Sequence, residues 1–433
     1  REENYAELPK LLFEEKIQRD EITTTLKNVF ELYGFNPWET PALERLDVLS
    51  SKYAGGAEIL KETYKLEDQG GRKLGLRYDL TVPLCRVIAG NSSMPMPVKR
   101  YAIASVWRDG PIKLGRYREF VQCDVDLVGS KSGLADAEII SLTCDAFSQL
   151  GIEYIVKVNN RKFLEGLLES LGVKNENVET VILTVDKLQK IGSQGVEKEL
   201  IEKGLLIPLA KKIVGIFKEF EGLGFEEVFV ACEKLVGKSE KAKQGLTELK
   251  EVFDFLKGFE KTGNVVVDVS LARGLAYYTG TVFEAYAKGS KVTSSIAGGG
   301  RYDELIGKFA GRESVPAVGI SFGLDTIGDV LKLQLSGKPA RKTVVDVYVI
   351  PIKTISQCIA IASELRKNGV RTSLDLMNRS ISKNLDYASK QGVKYAAIVG
   401  PKEAEIKKIT LRNLETGEEQ LVSVQQAVEI IKG

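Results

Sequence analysis

Residues 98–129, VKRYAIASVWRDGPIKLGRYREFVQCDVDLVG, constrain the fold more than any other stretch of the chain. Two runs alternate with a period of two around a loop rich in glycine and basic residues. In the second run Gln122, Asp124 and Asp126 occupy alternate positions, with Val121, Cys123, Val125 and Leu127 between them. An extended chain sends alternate side chains to opposite faces. One face is therefore apolar, and the other carries an amide and two carboxylates. In the first run Arg100, Ala102, Ala104, Val106 and Arg108 share a face, and the two alanines leave room beside Arg108. The loop holds Lys113, Arg116 and Arg118. The pattern predicts an antiparallel hairpin with a ligand-facing side, cationic at the loop end and anionic further along the second strand.

Composition narrows the chemistry. The chain has no histidine. That excludes Ser-His-Asp and Cys-His triads, HExxH zinc sites and any imidazole base. The five cysteines, Cys85, Cys123, Cys144, Cys232 and Cys358, are scattered and never form a CxxC pair. This suits a reducing compartment and argues against a cysteine zinc site. The net charge of +2 does not by itself announce a nucleic-acid binder. No apolar run approaches the roughly 20 residues of a membrane span. The sequence begins at Arg1 and not at methionine, so it does not show the start of the natural chain; no signal peptide is visible in what it contains, and a cytoplasmic location is the expectation.

The 433 residues suffice for two or three domains of about 150 residues. Residues 11–33 read as an amphipathic helix stopped by Gly34. Pro37 and Pro41 forbid a continuous helix in GFNPWETPALERLDVL, which reads as a surface loop or as a strand and turn against another subunit. A hairpin over 64–76 precedes a helix entered near Thr81, with Pro83 in its first turn. Residues 132–149 read as helix and 155–158 as strand. Over 173–261 leucine, lysine, glutamate and glycine recur at helical spacing, a helical insertion within a domain formed by 1–172 and 262–334. The triple glycine 298–300 allows close approach of a ligand or a sharp turn into RYDELIG. After a linker at 335–343, residues 344–433 alternate strand and helix as a separate α/β domain.

The chain lacks a GxxxxGK[ST] loop, and no GxGxxG follows a strand into a helix. A nucleotide would therefore bind on an antiparallel sheet. Arg108, beside small side chains at a strand end, and Arg273, in LARGLAYYTG, are the candidate phosphate cations. For either one alone, a surface or interface ion pair is the ordinary reading. Asp126, among apolar neighbours, needs a partner, and a structural ion pair stands level with a ligand there. Asp79 or Thr81 caps the helix or faces a ligand; cap preferences leave the two level.

With these stretches in place the sequence resembles the histidyl-tRNA synthetases, of class II of the aminoacyl-tRNA synthetases. GFNPWETPALERLD resembles the first class motif, with Pro41 at a dimer interface, and VWRDGPIKLGRYREFVQCDVDLVG the second in its histidine-specific form. LARGLAYYTGTVFEAY and SSIAGGGRYDEL resemble two signatures particular to histidyl enzymes, and AVGISFGLDTIGDVL the third motif. The resemblance implies an α+β catalytic domain with a mostly antiparallel class II sheet, a helical insertion and a C-terminal α/β anticodon-binding domain. It implies a homodimer that uses ATP and Mg2+ and acts on L-histidine and histidine tRNA. Arg108 and Arg273 would neutralise phosphate, Arg116 would hold the triphosphate or the tRNA end, and Phe120 would stack on adenine. Asp79, Thr81 and Gln122 would receive the histidine amino group. Asp126, Tyr277 and Tyr278 would line the imidazole pocket, with Asp126 and Tyr278 reading the ring.

Two positions depart from the family pattern, and a third departs from the class pattern in a way that one branch of histidyl enzymes shares. Ala276 replaces an acid in the RGLDYYTG signature, Thr326 replaces the third-motif arginine, and Gly110 replaces an acid that the class places after the motif-two arginine. A compensating cation such as Arg301 would answer the loss at Thr326. The competing expectation is a silent paralogue acting as a regulatory subunit of histidine biosynthesis or as a tRNA sensor. Retention of Arg273, Tyr277, Tyr278 and the last domain ranks it second. In the last domain, Lys353, Arg379 and Lys383 are candidate tRNA contacts, although solvated surface charge explains any one of them equally simply.

Overall fold

The computed structural model describes residues 13–50, 60–91, 93–111, 117–220, 223, 225–237, 239–273, 277–311, 314–334 and 341–433. The chain divides into two compact units, one built on Ile22–Ser336 and one on Gly337–Gly433. Strands of the first unit are β1 (Asn36–Pro37), β2 (Leu43–Arg45), β3 (Lys65–Glu67), β4 (Lys73–Leu76), β5 (Val98–Trp107), β6 (Glu119–Val128), β7 (Tyr154–Asn160), β8 (Val265–Val267), β9 (Thr281–Ala287), β10 (Ala297–Arg301) and β11 (Ala317–Gly323).

Eight of these strands form one sheet in the order β1-β5-β6-β11-β10-β9-β7-β8. The six central strands are all antiparallel to their neighbours. Parallel edge strands β1 and β8 flank them. The predicted hairpin is β5 and β6, paired from Val98–Val128 to Trp107–Glu119. Residues 36–45 resolve as strand and turn: β1 lies on the edge of the large sheet, where Pro37 needs no ladder donor. β2 joins β4 and β3 in a small sheet of its own.

The apolar face of the hairpin meets a helix layer. Cys123, Val125 and Leu127 join Ile320, Phe322, Phe283 and Val156 in one core with residues of helices Phe13–Leu32 and Gly133–Gln149. Phe322 sits with ring centroids 5.5 Å from both Phe30 and Phe147. Each such aromatic pair adds about 0.5–1.5 kcal/mol beyond area burial. Helix Gly133–Gln149 starts where Ser132 accepts from the Leu134 N–H, as an N-cap serine should.

Between β7 and β8 the described chain is helical, from Arg161–Ser170 through Glu240–Gly258. Glycines bring the first and last of these helices together. A Cβ on Gly245 would come 2.2 Å from the Phe163 nitrogen, and one on Gly166 would come 2.4 Å from the Ala242 nitrogen. The helices from Asn175 to Leu235 extend the same core, so residues 173–261 share one apolar interior with the large sheet.

The second unit carries β12 (Val347–Pro351), β13 (Thr372–Leu374), β14 (Tyr395–Val399), β15 (Ile409–Asn413) and β16 (Glu419–Val422), ordered β13-β12-β14-β15-β16. The alternating pattern is as expected up to β15. Strand β16 was not anticipated. It is a charged, largely exposed edge strand, EQLV, with no alternating apolar face to announce it.

Candidate active site

Strand register assembles the polar face of the large sheet. Arg100, Ala102, Ala104 and Val106 of β5 stand opposite Asp126, Asp124, Gln122 and Phe120 of β6. On the other side Gly319, Ser321 and Gly323 of β11 stand opposite the same Asp126, Asp124 and Gln122. Gly300 and Gly298 of β10 follow, then Val282 and Glu284 of β9.

The glycines are the floor on which functional side chains lie. A Cβ on Gly319 would come 2.2 Å from Asp126 Oδ1, and one on Gly298 would come 2.0 Å from Arg273 Nη1. A Cβ on Gly300 would reach the Tyr278 ring at 2.9 Å. At the triple glycine the groups that approach closely are the Arg273 and Tyr278 side chains at Gly298 and Gly300 and the main chain of β9 and β11 at Gly300 and Gly299.

At the anionic end, Arg100 Nη2 lies 2.7 Å from Asp126 Oδ2 and donates to the Leu80 carbonyl at 3.1 Å. Both side chains are only 2% exposed. The Tyr302 hydroxyl donates to Asp126 Oδ1. Arg100 Nε and Asp126 Oδ2 nevertheless have no aligned hydrogen-bond partner. Burial raises the pKa of Asp126, against Arg100 and Tyr302, which lower it. Asp124 is raised the same way, opposed chiefly by Arg100, and its Oδ1 has no partner. Asp79 caps helix Thr81–Gly90 by accepting from the Val82 N–H at 3.0 Å, yet burial still pushes it up to about 6. Gln122 donates to Ser321 Oγ at 3.0 Å and leaves its Oε1 unpaired. Buried acceptors without donors are costly. Three buried carboxylates around one buried guanidinium, with orphaned acceptors beside them, suit a ligand carrying an ammonium or several N–H groups.

The tyrosines are layered beside this end. Tyr277 packs on Tyr278 with centroids 4.7 Å apart and meets Tyr302 edge-on at 6.1 Å. The hydroxyl that bonds Asp126 therefore belongs to Tyr302, whereas Tyr278 lies under the Arg273 guanidinium, 5.7 Å from Cζ to the ring centroid.

The two expected arginines stand apart: Arg108 follows β5 at the loop end, whereas the Arg273 guanidinium lies on Gly298, level in register with Ser321 and Asp124. Arg108 donates through Nε to the Tyr78 carbonyl at 3.1 Å, and its Cζ stands 5.1 Å from the centroid of Phe120. Arg273 takes a left-handed backbone, φ 49°, and its Nε lies 3.4 Å from Glu284 Oε1. Its Nη1 is buried and has no hydrogen-bond partner. A buried guanidinium with a spare N–H is a ready acceptor for an anionic oxygen.

Thr81 is the first residue of its helix and half-buried. Arg116 and Ala276 lie outside the described residues. Thr326 is buried at the start of helix Leu324–Gln334. The suggestion that Arg301 compensates for it is wrong. Arg301 sits one position past Gly300 on the opposite face of β10, where Asp136, Asp303 and the Ser130 and Ser132 carbonyls occupy its donors. Sequence reading placed Arg100, Asp124 and Tyr302 in quoted motifs without giving them roles. The cross-strand partners of Asp126 were the missing signal.

In the second unit Arg379 stacks over Tyr387 at 4.3 Å and lies 3.6 Å from Asp375. Leu376 and Met377 beside it are exposed.

The chain matches the family described as Histidyl-tRNA synthetase over residues 8–327 and the Anticodon binding domain family over residues 346–433. A relative from Bacillus cereus, "Histidine--tRNA ligase 1", is 42% identical over 94% of this chain and 92% of its own length. A "Histidine--tRNA ligase" from Aeropyrum pernix is 38% identical over 96% of this chain and 94% of its own length. Among solved structures, the histidyl-tRNA synthetase from Nostoc sp. PCC 7120 superposes with a TM-score of 0.87 at 32% identity, covering 99% of this chain and 98% of that one. An ATP phosphoribosyltransferase regulatory subunit/histidyl-tRNA synthetase from Bacillus halodurans shares the fold, with a TM-score of 0.75 at 22% identity over 91% of this chain and 96% of that one. The fold alone therefore does not separate synthetase from regulatory relative; the identity to the ligases over nearly the whole chain does. The chain belongs to the histidyl-tRNA synthetase family.

Proposed function

We propose that this chain is a histidine–tRNA ligase, activating L-histidine with ATP to histidyl-adenylate and transferring the histidyl group to the 3′ end of histidine tRNA. The observation that carries the reading is the polar sheet face, where orphaned buried carboxylates and the spare N–H of Arg273 lie on one glycine floor.

The amino acid binds at the anionic end. Its ammonium is received by Asp79, Asp124 and Gln122, with Thr81 at the helix start. Asp126 accepts the imidazole N–H, while the tyrosines of 277, 278 and 302 enclose the ring and meet its other nitrogen. Tyr302 and Arg100 hold the Asp126 carboxylate in place for this. An amino acid lacking a donor there leaves a buried carboxylate under-satisfied, which discriminates more strongly than a missing methylene.

ATP lies toward the loop end. Adenine stacks on Phe120, Arg108 holds the α-phosphate, Arg116 the triphosphate and Arg273 the α-phosphate from the other side. The histidine carboxylate attacks the α-phosphorus, the α–β bridging bond breaks, and pyrophosphate leaves. No proton moves in this step, so a chain without histidine loses nothing. The protein supplies position and charge neutralisation. Among the described residues no group of three or more carboxylates or thiols is placed to hold a metal by itself. This suits magnesium entering with ATP and held mainly by the triphosphate.

The reading includes a homodimer in the cytoplasm and contact of the second unit with the tRNA anticodon. Among the described residues no helix is long and apolar enough to cross a membrane. Charging of histidine tRNA with labelled histidine and ATP tests the reading. Formation of histidyl-tRNA supports it; histidine binding without charging would favour the regulatory alternative.

A further inference from the structure

Arg273 is the only residue of the polar face whose backbone is left-handed without being glycine, among the described residues there. Something outside the sheet holds it so. The Ala272 and Arg273 N–H groups both donate to one oxygen, Oδ1 of Asp186, at 3.0 and 3.2 Å. Successive N–H groups that converge around a left-handed residue form a small anion-binding concavity. Here the anion is a side chain from the helical section. Asp186 is the C-terminal cap of helix Asn175–Val185, fixed by its own N–H to the Ile182 carbonyl at 3.0 Å.

The rest of the Arg273 environment leaves its aim free. Glu284 stands 3.4 Å from Nε, the Tyr278 ring centroid is 5.7 Å from Cζ, and Gly298 offers no side chain to push against. Nη1, the atom with the unused donor, is therefore directed by where the backbone of Arg273 starts. The backbone is pinned by Asp186.

We infer that Asp186, from the helical section and about 90 residues away in sequence, is the positioning residue for Arg273 in adenylate formation. Asp186 touches no substrate in this arrangement. It fixes the turn from which the guanidinium reaches the sheet floor, and couples the helix end to the phosphate cation. The inference rests on Arg273 acting as that cation.

A double-mutant cycle in histidine-dependent ATP–pyrophosphate exchange tests it. Asp186→Leu keeps the branched shape, at a larger volume, and removes the acceptor; Asp186→Asn keeps both the size and an acceptor oxygen. A misplacement of about 1 Å costs on the order of a hundredfold in rate. Asp186→Leu should therefore lower kcat by about 10- to 100-fold with the histidine KM little changed, and Asp186→Asn should restore most of it. In an Arg273→Ala background Asp186→Leu should add no further loss. Circular dichroism confirms that each variant is folded, and if Asp186→Leu is not, Asp186→Ser provides the same comparison. Losses that multiply, or a full kcat in the folded Asp186→Leu variant, overturn the role of Asp186 alone. An unchanged kcat in Arg273→Ala overturns the reading of Arg273, and the inference with it.

Discussion

A single methyl group at Gly298 should stop adenylation while leaving the fold intact. The three atoms nearest to the Cβ of Gly298→Ala would all belong to the Arg273 guanidinium, at 2.0 Å for Nη1, 2.6 Å for Cζ and 3.0 Å for Nη2. Ordinary contact begins near 3.4 Å, so Nη1 must retreat by roughly 1.4 Å. No backbone atom is among the three nearest, and an alanine in a strand regains about 0.5–1 kcal/mol relative to glycine. Stability should stay level or rise slightly. The displaced guanidinium forfeits a preorganised cation at the α-phosphate, worth about 2.7–4 kcal/mol, or 10²–10³ in kcat. The neighbouring Gly299→Ala makes the control. Its Cβ would lie 1.9 Å from the Gly319 carbonyl oxygen and 2.7 Å from the Ile320 Cα, both main chain, so this variant should lose the fold itself. Pyrophosphate exchange with histidine, beside thermal unfolding, reads both. A folded Gly298→Ala enzyme with kcat within threefold of the parent would refute the placement of Arg273 on that glycine.

Tyr302→Phe removes the donor to Asp126 Oδ1 and nothing else of the ring; the histidine KM should rise about 10- to 150-fold, the worth of one hydrogen bond to a charged group, with kcat changed less. An unchanged KM would mean that Tyr302 does not hold Asp126. Asp79, pushed up to about 6 from an ordinary value near 3.9, folds at no cost while both states are protonated; the penalty grows as pH rises from about 4 to 6, where the unfolded chain has lost the proton and the folded one keeps it, and is complete above that. Asp79→Asn keeps an amide oxygen for the Val82 N–H and should therefore gain up to about 3 kcal/mol over the parent at pH 8, shrinking toward zero near pH 4. Denaturant unfolding of the ligand-free pair across that range checks the sign; a gap that widens toward acid would contradict it. Finally, a histidine ligase that contains no histidine can be translated when its own product is scarce. Its synthesis should fall less in histidine starvation than that of histidine-containing proteins, and an equal fall would dismiss the idea.

Most of the fold was legible because its elements are local. Period-two alternation announced β5 and β6, and Ser132 marked the start of its helix. The site was legible where one strand carries it: Gln122, Asp124 and Asp126 share a face in any strand. What pairs with them was not. Arg100 meets Asp126 only through the register of the hairpin, Tyr302 reaches it from 176 residues away, and Asp186 meets Arg273 from a separate helix. Those contacts depend on chain crossing, for which sequence spacing carries no signal. Arg301 shows the converse error. Offered as a cation to answer the loss at Thr326, it lies one residue past Gly300, and that single step in a strand turns it to the other face, onto Asp136.

The central claim is that the buried carboxylates on this sheet face select histidine for reaction with ATP. Amino-acid-dependent ATP–pyrophosphate exchange, run with each of the standard amino acids in turn, tests it most directly. Exchange with histidine alone, lost in Asp126→Asn, is the predicted result. Exchange with another amino acid, or with histidine undiminished in Asp126→Asn, would contradict it.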